Sequence, residues 1–224
     1  MRTGNWLVGF ALMGGFCLAG AGPAVAQAPA RPTRPPLFLS EPWQQIPGGG
    51  ENPVTPASLT ASNVEMKLYG ESGSEIQLTG ADGNESNPTH VWTGLCTTPC
   101  GLTLRDKSRF ADLTGLARIK WNTKTSGFHQ IRPLLKLADG TMLVGDHTDG
   151  TTLDWLMSEF SVADVHWLVL DPERLVTTGN FVASPDLSRV DEIGFVDLMP
   201  ASGHGPGGWS DVAQIEIYGN AVAR

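Results

Sequence analysis

The stretch SGHGPGGWSD, residues 202–211, carries His204, Trp209 and Asp211 on glycine-rich backbone just ahead of the terminal run VAQIEIYG. An indole presents a flat apolar face that stacks on the apolar side of a sugar ring, and an imidazole adds a polar edge. Glycines let backbone come close to a ligand. The same composition also suits a plain long turn with Trp209 folded back as an apolar anchor. It is not a phosphate loop, because neither the strand and helix that frame one nor the downstream acid is present.

Other residues could contribute chemistry. In QIRPLLKL, Arg132, Leu134 and Lys136 fall on one side of an extended chain, and Ile131, Pro133, Leu135 and Leu137 on the other. Two cations on an exposed sheet face could grip a sugar or a sugar carboxylate if that face is concave. On a convex face they would be solvated surface. GDHTDG (Asp146, His147, Asp149) and GADGNESNP (Asp82, Asn84, Glu85, Asn87) are oxygen-rich loops able to offer calcium ligands, yet neither has the twelve-residue spacing of an EF-hand. Asp146, Glu159, Asp197 and Asp211 could supply the carboxylate pair of a glycoside hydrolase, but spacing selects no pair. No G-x-S-x-G elbow is present, and the five histidines show no H-x-H or H-E-x-x-H spacing. Binding is therefore expected over catalysis, with a small polysaccharide-active hydrolase or lyase as the alternative.

The elements that must hold these residues are strands. NVEMKLYG alternates Val64, Met66 and Leu68 with Glu65, Lys67 and Tyr69, and GLARIKWNTKT alternates Ala117, Ile119, Trp121 and Thr123 with Leu116, Arg118, Lys120 and Asn122. Asp139-Gly140 marks a hairpin turn. Pro133 predicts an edge or a bulge in its strand. DWLMSEFSVADV reads as a short helical turn or an irregular strand. VHWLVLD, VDEIGFVDL and VAQIEIYG complete a set of short strands separated by turn residues, which predicts an all-β, two-sheet antiparallel sandwich of the jelly-roll kind.

Residues 1–28 have Arg2, an apolar run and a small-residue stretch before Gln27, the pattern of a cleaved export signal. Residues 29–56 form a Pro/Gly-rich arm whose Leu37, Phe38, Trp43 and Ile46 could dock on a domain, and residues 57–224 form the sandwich domain. A periplasmic or extracellular location follows, with no membrane span after cleavage. The formal charge of -8 becomes -9 without Arg2, which disfavours nucleic acid as a partner. Cys96 and Cys100 are expected to form a disulfide across a tight turn rather than half a zinc site, because no second cysteine pair follows.

RFADLTGLARIKWNTKTSG, the following PLLKLADG, then DLSRVDEIGFVDL and the closing GGWSDVAQIEIYG resemble the galactose-binding-like jelly-roll domains, many of them carbohydrate-binding modules. The resemblance spans roughly residues 60–219. It implies a carbohydrate-binding module, with Trp209 as stacking platform and His204 and Arg132 as polar contacts. It also implies a structural calcium where an early acid such as Glu65 or Asp82 meets Asp211 or Glu216. A structural or interaction module docking on an envelope protein is the remaining expectation.

Overall fold

The computed structural model describes residues 33–48, 50–200 and 207–224, with Met1 and Gly4; most of the 1–28 signal segment, and His204, lie outside the described residues. Sixteen strands follow in order among them: β1 (Leu37–Glu41), β2 (Asn52–Pro53), β3 (Val64–Tyr69), β4 (Gln77–Thr79), β5 (His90–Trp92), β6 (Cys100–Asp106), β7 (Arg109–Asp112), β8 (Arg118–Thr125), β9 (Ile131–Leu137), β10 (Met142–Gly145), β11 (Leu156–Ser161), β12 (Trp167–Asp171), β13 (Val176–Val182), β14 (Val190–Asp197), β15 (Ser210–Tyr218) and β16 (Asn220–Ala223). They build two antiparallel sheets facing each other in a β-sandwich. Sheet 1 runs β11-β8-β15-β5-β4-β2, with β1 also paired to β15. Sheet 2 runs β13-β12-β10-β9-β14-β6-β3, with β7 and β16 attached beside β14. Among the described residues no helix is long and apolar enough to cross a membrane.

Alternation in the sequence becomes sidedness in the sheets. Along β8 every second residue is buried, so Ile119, Trp121, Thr123 and Thr125 face inward and Arg118, Lys120, Asn122 and Lys124 face out. Ile215 and Ile217 of sheet 1 meet Leu102, Leu104, Ile193, Phe195 and Leu135 of sheet 2 in the main core. The Asp139-Gly140 hairpin forms as expected, with Gly140 at φ 91. DWLMSEFSVADV resolves into strand β11 and a 3-10 turn over Val162–Asp164.

Two features depart from the sequence reading. The apolar residues of the arm supply β1, whose Leu39 is buried against β15, so the sandwich starts upstream of residue 57. Pro133 lies on neither an edge nor a bulge: β9 is central, between β10 and β14. It pairs with Phe195 where the ladder to β10 has already ended at Leu134 and Val144, so a missing N–H costs that ladder nothing.

Sheet 2 is curled. Leu134, Met142, Val144, Leu170 and Val196 form a second apolar cluster on its outer face, covered by Leu175 from the turn after β12, which holds the left-handed φ of 51. That turn reaches the end of β3, since a Cβ on Gly70 (φ 86) would stand 2.8 Å from Leu175 Cδ1 and 2.3 Å from Pro99 O. In a flat sheet β12 and β3 would lie about 24 Å apart at the usual strand spacing. Sheet 2 is therefore the concave layer, and part of its hollow is already filled.

Cys96 is joined by a disulfide to Cys100, the first residue of β6. Closing so short a loop limits denatured-state entropy by only about 2 kcal/mol. Reduction with dithiothreitol is expected to lower the Tm by a few degrees and to leave a single cooperative unfolding transition; loss of cooperativity would contradict this.

Candidate functional site

The outer face of sheet 1 gathers indoles around one carboxyl. Asp211 sits opposite Trp92 and Lys124 in the ladder, on the side away from the core. Trp209 Nε1 donates to Asp211 Oδ2 at 3.2 Å. Trp155, on the loop before β11, lies edge-on to His90 at 5.0 Å between ring centroids, and its Nε1 donates to Ser86 O at 3.3 Å. β8 and β15 separate β11 from β5, so the Trp155 loop must lean across the sheet to make this contact. The Trp92 ring lies against Gly94, where any Cβ would collide at 2.2 Å. All three indoles are half-buried.

Asp211 is 5% exposed, and its Oδ1 has no hydrogen-bond partner. His90 Nε2 stands 3.5 Å from that oxygen. His90 Nδ1 lies 2.7 Å from Pro88 O, and a carbonyl only accepts, so in the neutral ring Nδ1 carries the hydrogen and Nε2 presents a lone pair. Burial pushes the Asp211 pKa up to about 7, against the lowering effects of the Trp209 bond and Lys124. Burial likewise lowers that of His90. Both shifts disfavour the charged forms, so burial works against an ion pair here.

The other buried carboxylates are amply bonded. Glu41 accepts from Trp43 N, Thr60 N and Thr60 Oγ1. Glu192 accepts from Lys67, Tyr69, Thr103 and Lys136, and although burial opposes it these bonds hold its pKa below the usual value. Asp197 accepts from His129 Nδ1 at 2.6 Å, Ser210 Oγ at 2.7 Å, Thr93 Oγ1 at 3.3 Å and Met199 N at 3.0 Å. Ser210 and His129 both bind the same Asp197 oxygen, so they are not arranged as a nucleophile and its base.

Beside the indoles lies a cleft of about 290 Å³ lined by Pro42, Trp43, Asp82, Thr89, Asn122 and Gln214 among others. Trp43 is buried at φ 55, a backbone conformation rare for a bulky residue, and its Nε1 has no partner. Asn122 makes no side-chain hydrogen bond among the described residues, while Gln214 Nε2 donates to Glu216 Oε1 at 3.0 Å.

The expected site residues separate. Trp209 belongs to the outer face of sheet 1. Arg132 pairs with Val196 on the outer face of sheet 2, so the two look away from each other and form no common cleft. His204 lies outside the described residues. The carboxylates that the resemblance offers to calcium are also apart: Asp211 and Glu216 are five residues along one strand, roughly 15 Å. Glu216 is tied to Lys120, Gln214 and Tyr218, Asp82 accepts from Thr89 Oγ1, and Glu65 pairs with Arg105. Among the described residues no three His, Cys, Asp or Glu side chains gather as a metal site, so this donor set does not fit the ion. GDHTDG is likewise internally committed, with Asp146 bound to His166 and Asp149 to Trp121.

Trp43, His90, Asn122 and Gln214 were not singled out as ligand contacts from the sequence, whereas Trp155 is an indole that could join Arg132 and Lys136 in gripping a sugar, and the structure sets it on the other sheet from them. The alternation places His90 with Trp92, and Asn122 with Lys124, but nothing local in the sequence brings Trp155 over a strand some 65 residues away.

An unfolded aspartate titrates near 3.9. With the folded value about 7, the native state keeps an extra proton between these limits. Stability that is full below pH 4 is therefore lost as pH climbs to about 7. Asp211→Asn is expected to gain on the order of 2 kcal/mol relative to the unsubstituted protein between pH 5 and pH 8, measured by urea unfolding; an unchanged difference would show the carboxyl already ionised.

No protein-family model matches this chain, and no curated protein does. Among solved structures, it is similar to a family 11 carbohydrate-binding module from Clostridium thermocellum in complex with a β-1,3-1,4-mixed-linked tetrasaccharide, with 16% identity over 79% of this chain and 99% of that one and a TM-score of 0.44. The family 11 module of the cellulosomal cellulase Lic26A-Cel5E of the same organism gives 16% identity, 77% and 96% coverage and a TM-score of 0.43. An exo-β-agarase gives 12% identity over 72% of this chain and 23% of that one, with a TM-score of 0.40. These neighbours include the carbohydrate-binding-module sandwiches that the sequence resembles; with TM-scores below 0.5, none of them assigns a ligand or a residue role to this chain.

Proposed function

We propose that the protein is an exported glycan-binding module and that its binding surface is the outer face of sheet 1. The observation that carries this reading is the cleft at Trp43, Thr89, Asn122 and Gln214, where the Asn122 amide and the Trp43 indole N–H have no partner among the described residues, on the same face of sheet 1 as the half-buried indoles of Trp92, Trp155 and Trp209. Sugars present hydroxyls around apolar ring faces, and amides with neighbouring aromatic planes answer both. Export is supported by the apolar stretch before Gln27 and by the Cys96–Cys100 disulfide, a bond that persists in oxidising compartments.

One observation favours a catalytic reading of the same face. A carboxyl that holds its proton near neutrality has the chemistry of a general acid. Release of reducing or unsaturated sugar ends on incubation with polysaccharide would support that reading.

On a glycan array the protein is expected to bind without turnover. Trp155→Ala and Asn122→Ala should each weaken binding about tenfold or more, a loss of roughly 1.4 kcal/mol, while the Tm changes little. Unchanged affinity in both variants, with the fold intact, would remove sheet 1 as the binding surface.

A further inference from the structure

On the opposite side of the sandwich, a cleft of about 220 Å³ is lined by Phe128, Gln130, Arg132, Leu198 and Met199. It lies where β9 and β14 run into their end loops, on the outer face of curled sheet 2. We infer that this cleft is a second binding site, for a sugar residue that carries a carboxylate.

The cations of this face differ in what they hold. Lys67 and Lys136 both contact Glu192, at 2.7 and 3.3 Å. Arg105 is bound to Asp191 and Glu65. Arg132 has no carboxylate within ion-pair distance and no side-chain hydrogen bond among the described residues, and its Nε is sheltered from solvent without a partner. A guanidinium in that state has an unused planar fork, the geometry that pairs side-on with a carboxylate. In a chain of net charge -8, a carboxylate-bearing ligand finds its place where a cation remains unspent.

The second observation is apolar. Phe128 is 86% exposed at the tip of the β8–β9 connection, and Met199 is 41% exposed across the same cleft. The turn that presents Phe128 is fixed from behind: Thr151 Oγ1 donates to Gly127 O, and Ser126 N donates to Trp209 O at 2.9 Å. An aromatic ring held in solvent beside an unpaired guanidinium matches a uronate residue, whose ring has an apolar face and whose edge has a planar anion. The volume suits one ring rather than a long chain. The Gln130 amide adds a group for a hydroxyl.

This inference does not rest on the surface assigned to sheet 1. Calorimetric titration of the full chain with oligomers of galacturonate, glucuronate and mannuronate, each compared with its neutral methyl ester, tests it. At least one acid oligomer should bind, with its ester tenfold or more weaker. Arg132→Gln should abolish that preference, Phe128→Ala should weaken acid and ester alike at this cleft, and the preference for acid over ester should survive Trp155→Ala. Arg132 is partly exposed and bonds to nothing here, so its replacement leaves the Tm in place, and Arg132→Lys should restore part of the preference. Binding of no acid oligomer, equal binding of acid and ester, or a preference that survives Arg132→Gln overturns the site. If Trp155→Ala abolishes uronate binding and Arg132→Gln does not, the sugar sits on sheet 1; the second site then fails and the proposed function stands.

Discussion

The Asp197 carboxylate is the joint on which both faces depend. It lies between the sheets at one end of the sandwich, 1% exposed, and binds groups from three other segments: His129 from the β8–β9 turn, Ser210 from the start of β15, and Thr93 just after β5. The neighbours of those residues in sequence are the functional candidates. Trp209 and Asp211 flank Ser210 and turn outward on sheet 1; Phe128 and Gln130 flank His129 and reach the cleft of sheet 2. A buried carboxylate with several donors is costly to break, because every donor loses its partner at once. Two surfaces that face opposite ways are thereby set by one interior cluster.

The two faces are unlike because the sheets are unlike. Curling of sheet 2 brings the turn carrying Leu175 over its hollow, where Leu134 and Val196 form a small dry cluster. A ligand on that side is left the rim, at Arg132, Gln130 and Phe128. Sheet 1 carries no such plug among the described residues. Its outer rows are polar, with Arg118 stacked on Tyr218 at 3.6 Å and Lys120 beside Glu216; of its indoles Trp92 belongs to β5, while Trp155 comes from a loop that leans over the strands.

Much of this was legible in the sequence, for a physical reason. A strand turns alternate residues to opposite sides, so RIKWNTKT and VEMKLY announced their faces, and Asp-Gly announced its turn. Two cysteines four apart were also readable. What local pattern cannot encode is which outer faces coincide. Arg132 and Trp209 are equally plausible outward contacts in the sequence, yet Arg132 lies in β9 of sheet 2 and Trp209 just ahead of β15 of sheet 1. Trp155 meets His90 only through a loop that crosses two strands, and Pro133 is tolerated in a central strand only because the neighbouring ladder stops beside it.

Buried carboxyls give the sharpest contrast in the molecule. Glu41, Asp106, Glu192 and Asp197 are each nearly or wholly inaccessible, and each collects three or more donors, as buried charge requires. Asp211 is buried to a similar degree and has a single donor, the indole of Trp209. Burial raises its pKa to about 7, so below that pH a proton stands in for the missing partners. Structural carboxylates elsewhere in this chain demonstrate that several donors can be supplied where stability alone is at stake. Asp211 departs from that pattern: one oxygen has the Trp209 indole, and the other, closed off from solvent, faces only the His90 Nε2 lone pair at 3.5 Å, an arrangement that a proton satisfies better than a charge.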